Sequence, residues 1–290
     1  CEQADPDGRP FLLTRSACAG TQRHSAVWTG DNASNWRHLR MSLPCSLNLS
    51  LSGVAFNGPD VGGFMDDVSA ELLVRWHQAG CLFPFYRNHS AHFTRRQEPW
   101  QFGSAPLAAI RGAIRTRYRL LPYLYQCFFA HWLAGDPIIR PLLYHYPEPE
   151  FSDLDDQYLV GDALLVAPIL HGEGQGLESI RHGVTVQERP VVLPPGWWFD
   201  LNRGEWLEGG RSLPYAAALD ELPLFARDGA GRVSLNAIAK EAGVTPAMLH
   251  YYFSSRDALV TQLIEERFMP LRNHISRIFV DHPQDPVLAL

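Results

Sequence analysis

The sequence has almost no lysine. Of its 25 basic residues only Lys240 is a lysine, a bias that reads as genome composition and not as function. The net charge of −6 argues against a protein dominated by phosphate binding, although a small DNA-reading module fits within an acidic whole. Cysteine is sparse: Cys1, Cys18, Cys45, Cys81 and Cys127 are scattered, odd in number and never spaced as C-x-x-C. That excludes zinc-ribbon and dithiol redox motifs and argues against a disulfide framework. No apolar run approaches the roughly 18 residues needed to span a bilayer. The opening CEQADPDGRP has neither the basic n-region nor the apolar h-region of a secretory signal. Together these absences predict a soluble, cytoplasmic protein with no metal, no cofactor and no membrane partner. Internal repeats and low-complexity segments are also missing. Aromatics, by contrast, are plentiful, with eight Trp, which suit sugar-facing pockets and apolar cores alike.

Through residue 135 short apolar runs alternate with helical stretches. Phe11–Leu13, Ala26–Trp28, Val54–Phe56 and Leu82–Tyr86 read as strands, each ending in polar residues. Helical spacing predicts helices over Trp36–Ser52 (bent around Pro44), Ser69–Gly80 with Leu72, Leu73 and Trp76 on one face and Gly80 as its stop, and Pro106–Ala134. This rhythm is that of a parallel α/β fold. In a (β/α) barrel the chemistry sits at the C-terminal ends of the strands, where these polar residues fall. After Gly135 the texture changes. Ile138–Tyr146, Tyr158–Leu170 and Arg189–Leu201 are apolar and aromatic with Pro/Gly turns, which predicts a small antiparallel β domain. Helical spacing returns from Ser234 to Val280. The fold class is therefore α/β, a partial (β/α) barrel over 1–135, then an antiparallel β domain over 136–228, then an all-α segment over 229–290.

One chemistry stands out. Cleaving a glycosidic bond needs two carboxylates, a proton donor and an ionised nucleophile or base, roughly 5–5.5 Å apart in retaining enzymes. Asp31 of VWTGDN suits the donor role. It follows a short strand and a glycine, beside Trp28, whose apolar bulk favours a protonated carboxyl. Taken alone, Asp31 reads more readily as an N-cap for the next helix, a part that Asn32 or Ser34 also fits. The ordered set decides. FLLTRS, VWTGDN, FNGPDVGGF, CLFPFYRNHS, RTRYRLLPYLY, DDQYLVGDALLVAPIL and LPPGWWFDL, from about Arg9 to Phe225, resemble glycoside hydrolase family 31. That resemblance implies a retaining enzyme acting on α-glucosides or related oligosaccharides, with Asp31 as acid/base. It also implies substrate-binding roles for Arg15, Trp28, Asp60, Phe64 and His89. The bland readings are that Arg15 pairs with Asp31, Asp60 holds a turn and His89 caps a helix. The family's nucleophile, an Asp in a W-x-D-M-N-E-like segment, has no counterpart here. The chain is therefore expected to be inactive alone.

The C-terminal residues carry a different signal. In SLNAIAKEAGVTPAMLHYYFSSRDALV, Gly243 permits a tight turn, and Thr245 with Pro246 opens a second helix. The pattern resembles the helix-turn-helix of TetR-type repressors, which implies that Thr245, Pro246, Ala247, His250 and Tyr251 face duplex DNA. His250 and Arg256 stand where Tyr and Lys are usual. From Gly231 onward six basic residues face six acidic ones, a weak phosphate-binding field. The junction ELPLFARDGAGRVSL reads both as a hydrolase strand (Glu221–Asp228) and as the end of a repressor's first helix (Leu224–Val233). Three functional readings follow: an α-glycosidase fragment, a transcriptional regulator, and a chimeric or mispredicted reading frame with no single function.

Overall fold

Four extended segments lie side by side and parallel at the heart of the N-terminal half. A computed structural model describes residues 11–181 and 184–228 together with Thr245. Strands β1 (Leu13–Thr14), β2 (Ala26–Trp28) and β3 (Asn57–Gly58) pair in that order, all parallel. Pro59 then interrupts the ladder, having no N–H to give. The same extended chain resumes as β4 (Asp60–Val61), parallel to β5 (Arg87–Asn88). Phe85 also donates its N–H to Asn57 O at 3.1 Å, so the 57–61 segment joins β2 on one side to β5 on the other. Gly58 makes this approach possible, since a Cβ there would lie 2.1 Å from Phe85 O.

Two of the strands lie further along the chain than their apolar runs suggest. Val54–Phe56 leads into β3, not through it. Leu82–Phe85 is a buried turn after the second helix. Its carbonyls are satisfied by a side chain and not by a ladder, for Arg117 donates to Cys81 O, Phe83 O and Pro84 O at 2.6–3.0 Å. The first strand is likewise shifted, from Phe11–Leu13 to Leu13–Thr14.

The helices form because their caps and apolar spacing agree. Helix α1 (Trp36–Leu51) starts at Asn35, whose side chain accepts the His38 N–H at 2.9 Å. Asp31 is thus not the cap, and neither is Asn32 or Ser34. Leu39, Leu43 and Leu47 recur every fourth residue and are buried. Helix α2 (Ala70–Gly80) is capped by Ser69. Every residue from Leu72 to Gly80 is buried, so the expected single apolar face understates it. The cause is a second layer. Arg75 reaches Gln187 Oε1 and the carbonyls of Ala218 and Glu221, while Tyr158 donates to Ala79 O. Gly80 is the helix's last residue, not a stop. A Cβ there would press on Val61 Cγ2 at 3.3 Å. Helix α3 (Ser104–Ala134) spans 31 residues and ends where the Gly135 N–H reaches His131 O.

That second layer is a β domain. Strands β6 (Ile139–Arg140), β7 (Tyr158–Val160), β8 (Leu164–Val166), β11 (Trp197–Asp200), β12 (Glu205–Glu208) and β14 (Leu224–Arg227) form an antiparallel sheet in the order β12-β11-β14-β8-β7-β6. Strands β9 (Leu177–Arg181), β10 (Val184–Leu193) and β13 (Arg211–Ala217) form another, ordered β13-β10-β9. The central strands of the six-stranded sheet are buried on both faces, with period two, while edge strand β12 is exposed. Tyr158, Val160, Leu164, Val166 and Leu224 join the core of the helices. Leu159, Leu165, Trp198 and Phe225 face Val191, Leu193 and Tyr215 of the other sheet. Unbroken apolar runs are what such a doubly covered sheet requires. Leu224–Arg227, half of the ambiguous junction, is therefore strand and not the end of a repressor helix, because its burial between β8 and β11 decides its conformation. The helix-turn-helix reading and its residues Pro246, Ala247, His250 and Tyr251 lie outside the described residues. Among the described residues no helix is long and apolar enough to cross a membrane.

Candidate active site

The parallel strands deliver their polar ends to one place. Arg15 follows β1, Asp31 follows β2, Asp60 opens β4 with Phe64 just beyond it, and His89 follows β5. Arg15 Nη1 donates to Asp31 Oδ2 at 3.1 Å, and both side chains are partly exposed. Phe64 and His89 stack with ring centroids 5.3 Å apart. Trp28 lies under the guanidinium of Arg87, 5.4 Å from the ring centroid, and its indole Nε1 is buried without a partner. Five of the six residues singled out from the sequence thus lie at or beyond strand C-termini, where a barrel places its site, and Asp60 lies near the end of the 57–61 segment that β3 and β4 share.

Asn32 ties two of these loops together. Its Nδ2 donates to Asp60 O at 2.9 Å and its Oδ1 accepts the Phe64 N–H at 3.0 Å. Its backbone carbonyl takes the N–H of Phe64 and Met65 as well. The crossing is tight enough to demand glycine. Gly63 has φ 90°, and a Cβ there would come within 2.6 Å of the Ser34 backbone. Buried Gln97 braces the far side, donating to Gly63 O at 2.7 Å, while Asn88 donates to Gln97 O.

Asp60 is the electrostatic centre. Its side chain is fully buried, and burial pushes its carboxyl above the ordinary carboxylate value. Arg87 pulls it back by hydrogen bond and charge. His89 pulls in the same direction, and Asp31 adds a like-charge push. Arg87 places Nε 3.2 Å from Asp60 Oδ1 and Nη2 closer still. Asp60 Oδ2 has no partner among the described residues. Sequence reading missed both Arg87 and Asn32, although Asn32 adjoins Asp31 and Arg87 lies two residues before His89. The signal was there in RNHS and GDN, as a charged residue inside a strand and an amide next to the candidate acid.

Chemically, this is a cleft wall with one reachable carboxylate, one buried carboxylate with a bare oxygen, an imidazole, and aromatic surface. Such a set binds a polyhydroxyl ring through hydrogen bonds and stacking. Among the described residues, Asp60 is the carboxylate that couples to Asp31, and Arg87 holds it.

Three protein-family models match the chain. "Glycosyl hydrolases family 31 TIM-barrel domain" covers residues 1–127, and "Glycosyl hydrolase family 31 C-terminal domain" covers residues 135–230. "Bacterial regulatory proteins, tetR family" covers residues 222–263, overlapping strand β14. Among curated relatives, Alpha-glucosidase 2 of Bacillus thermoamyloliquefaciens is 47% identical over 222 residues, 76% of this chain and 27% of the relative. Neutral alpha-glucosidase C of Homo sapiens is 41% identical over 238 residues, 81% of this chain and 25% of the relative. The chain therefore spans about a quarter of the length of these relatives. Among solved structures, the glucosidase II alpha subunit superimposes with TM-score 0.69 at 35% identity, over 76% of this chain and 23% of that one. A Flavobacterium johnsoniae GH31 dextranase complexed with glucose gives TM-score 0.70 at 33% identity, over 79% of this chain and 28% of that one.

Proposed function

Residues 1–127 and 135–230 carry glycosyl hydrolase family 31 domains, and from that premise we propose that the chain supplies the proton-donor side of a retaining α-glycosidase site acting on α-linked glucosides. The observation that carries this is the convergence of Arg15, Asp31, Asp60, Phe64 and His89 from four parallel strands. The names of the relatives, α-glucosidases and a dextranase complexed with glucose, support glucose as the sugar.

In this reading Asp60 Oδ2 and His89 take hydroxyls of the sugar, Trp28 and Phe64 wall it, and Asp31 protonates the leaving oxygen. A general acid cannot act while a guanidinium engages its oxygen. Arg15 is exposed and unburdened by other contacts among the described hydrogen bonds, so it turns toward substrate or the second carboxylate. That second carboxylate must sit about 5–5.5 Å from Asp31 on the opposite face of the sugar. Asp60 does not fill the role, because Arg87 clamps it and its bare oxygen suits a hydroxyl.

The test is glucose titration of the full chain by NMR. Saturable shifts are expected at the Trp28 indole and the His89 imidazole, and their loss in Asp60→Ala. Shifts absent from both groups would overturn the reading. The match over residues 222–263 supports a second reading, DNA binding by the C-terminal residues through Thr245, Pro246, Ala247, His250 and Tyr251. Its first residues, Leu224–Arg227, are spent on strand β14.

A further inference from the structure

We propose that Arg87 is a positioning residue of the sugar site: it seizes one oxygen of Asp60 and so presents the other, Oδ2, as a fixed acceptor for a single sugar hydroxyl. The inference rests on the sugar-site reading and extends it to a residue that touches no substrate.

Three observations carry it. The first is the asymmetry of the contact. Nε and Nη2 of Arg87 both go to Oδ1, whereas a bidentate pair would share them across both oxygens. The second is that Arg87 is itself held. Its guanidinium carbon lies 5.4 Å from the ring centroids of Trp28 and of Phe85, so two aromatic rings hold the cation by cation–π contact and restrict its direction. The third is the state of Asp60. The side chain is fully buried, yet Oδ2 has no partner among the described residues. A buried acceptor left bare is costly and rare unless a ligand completes it.

Lysine cannot substitute. It offers a point charge on a flexible stem, with neither the two parallel N–H groups nor the plane that seats between rings. Asn32 fixes the Asp60 backbone through its carbonyl, so main chain and carboxylate are braced from different strands. The charged and titratable groups facing Asp60 are Arg87 and His89 from the β5 side and Asp31 from the loop after β2, the last paired with Arg15. Loss of Arg87 leaves burial and Asp31, which favour the protonated carboxyl, opposed among the described residues by His89 alone. Protonation converts an acceptor into a partial donor and weakens the hold on a hydroxyl.

The experiment uses the full chain with carboxyl-labelled Asp, in wild type, Arg87→Gln and Arg87→Lys. Carbon NMR follows the Asp60 carboxyl through a pH titration, and the His89 imidazole is followed by its own resonances so that the two transitions are told apart. Glucose affinity is measured at each pH. In Arg87→Gln the Asp60 midpoint is expected to move up, and the acid limb of glucose binding to move up with it, with affinity at neutral pH at least about tenfold weaker. Arg87→Lys is expected to fall between the two. A merely structural role would weaken binding at every pH without moving the limb, and that result, or an unchanged Asp60 midpoint in Arg87→Gln, overturns the proposal. Should Arg87→Gln fail to fold, Arg87→Lys decides by the same criteria. If wild type binds no glucose at any pH, the sugar-site reading falls, while the carboxyl titration still judges the clamp.

Discussion

Residue by residue, the site is built from groups whose neighbours are fixed before any ligand arrives. His77 shows how far the support reaches. It lies on α2, fully enclosed, with Nδ1 on the hydroxyl of Tyr86, the residue just before Arg87. Burial pulls its imidazole down from 6.5 to about 3. A histidine that stays neutral when folded binds fewer protons than the unfolded chain below its ordinary pKa. Its stabilising share is therefore complete above 6.5 and is lost as pH falls through that value. Between about pH 7.5 and about pH 5.5 this one group is expected to remove about 1.4 kcal/mol of stability. Urea unfolding at the two pH values checks it: His77→Gln should lose that much less than wild type. Asp60, with a raised carboxyl, acts in the opposite sense and is common to both proteins. An equal pH dependence in the two would contradict the assignment. The six site residues were legible because each sits in a short word of distinctive composition. Arg87, Asn32 and Gln97 were not, because what they touch is 27, 28, 32 or 34 positions away, and no local spacing encodes that.

Among the elements, strand β14 carries the most weight, since the same letters also read as the end of a helix. Leu224 and Phe225 point to opposite faces of the six-stranded sheet, one into the helical core and the other between the sheets. Phe225 packs edge-on against Tyr215, centroids 5.4 Å apart. Tyr215 in turn donates to buried Asp200, which also receives the backbone N–H groups of Asn202 and Arg203. Phe225→Ala is expected to cost about 3–5 kcal/mol, read by urea unfolding of the full chain. A cost below about 1 kcal/mol, the range of exposed sites, would show that these residues are not strand core. Helices were legible from caps and four-residue spacing, and α1 matches its expected span to a residue. Strands were less so, because the barrel strands are only two or three residues long. Apolar runs beside them, such as Leu82–Phe85, are buried as turns whose carbonyls Arg117 satisfies.

At the scale of the whole molecule, the N-terminal half gives four parallel strands and the β domain seals α2 from behind. A closed (β/α) barrel has eight strands, and a retaining glycosidase has two catalytic carboxylates on opposite faces of the sugar. In the proposed reading the described residues provide a donor, a hydroxyl-binding carboxylate and aromatic walls, and Asp60 is paired with Arg87. We propose that the described residues hold the proton donor and the sugar-binding wall without the nucleophile. The most direct measurement is release of 4-nitrophenol from 4-nitrophenyl α-D-glucoside by the full chain, beside Asp31→Asn. The prediction is no release above the Asp31→Asn background for either protein. Robust turnover that vanishes in Asp31→Asn, with a glycosyl intermediate trapped on another carboxylate of this chain, would contradict it.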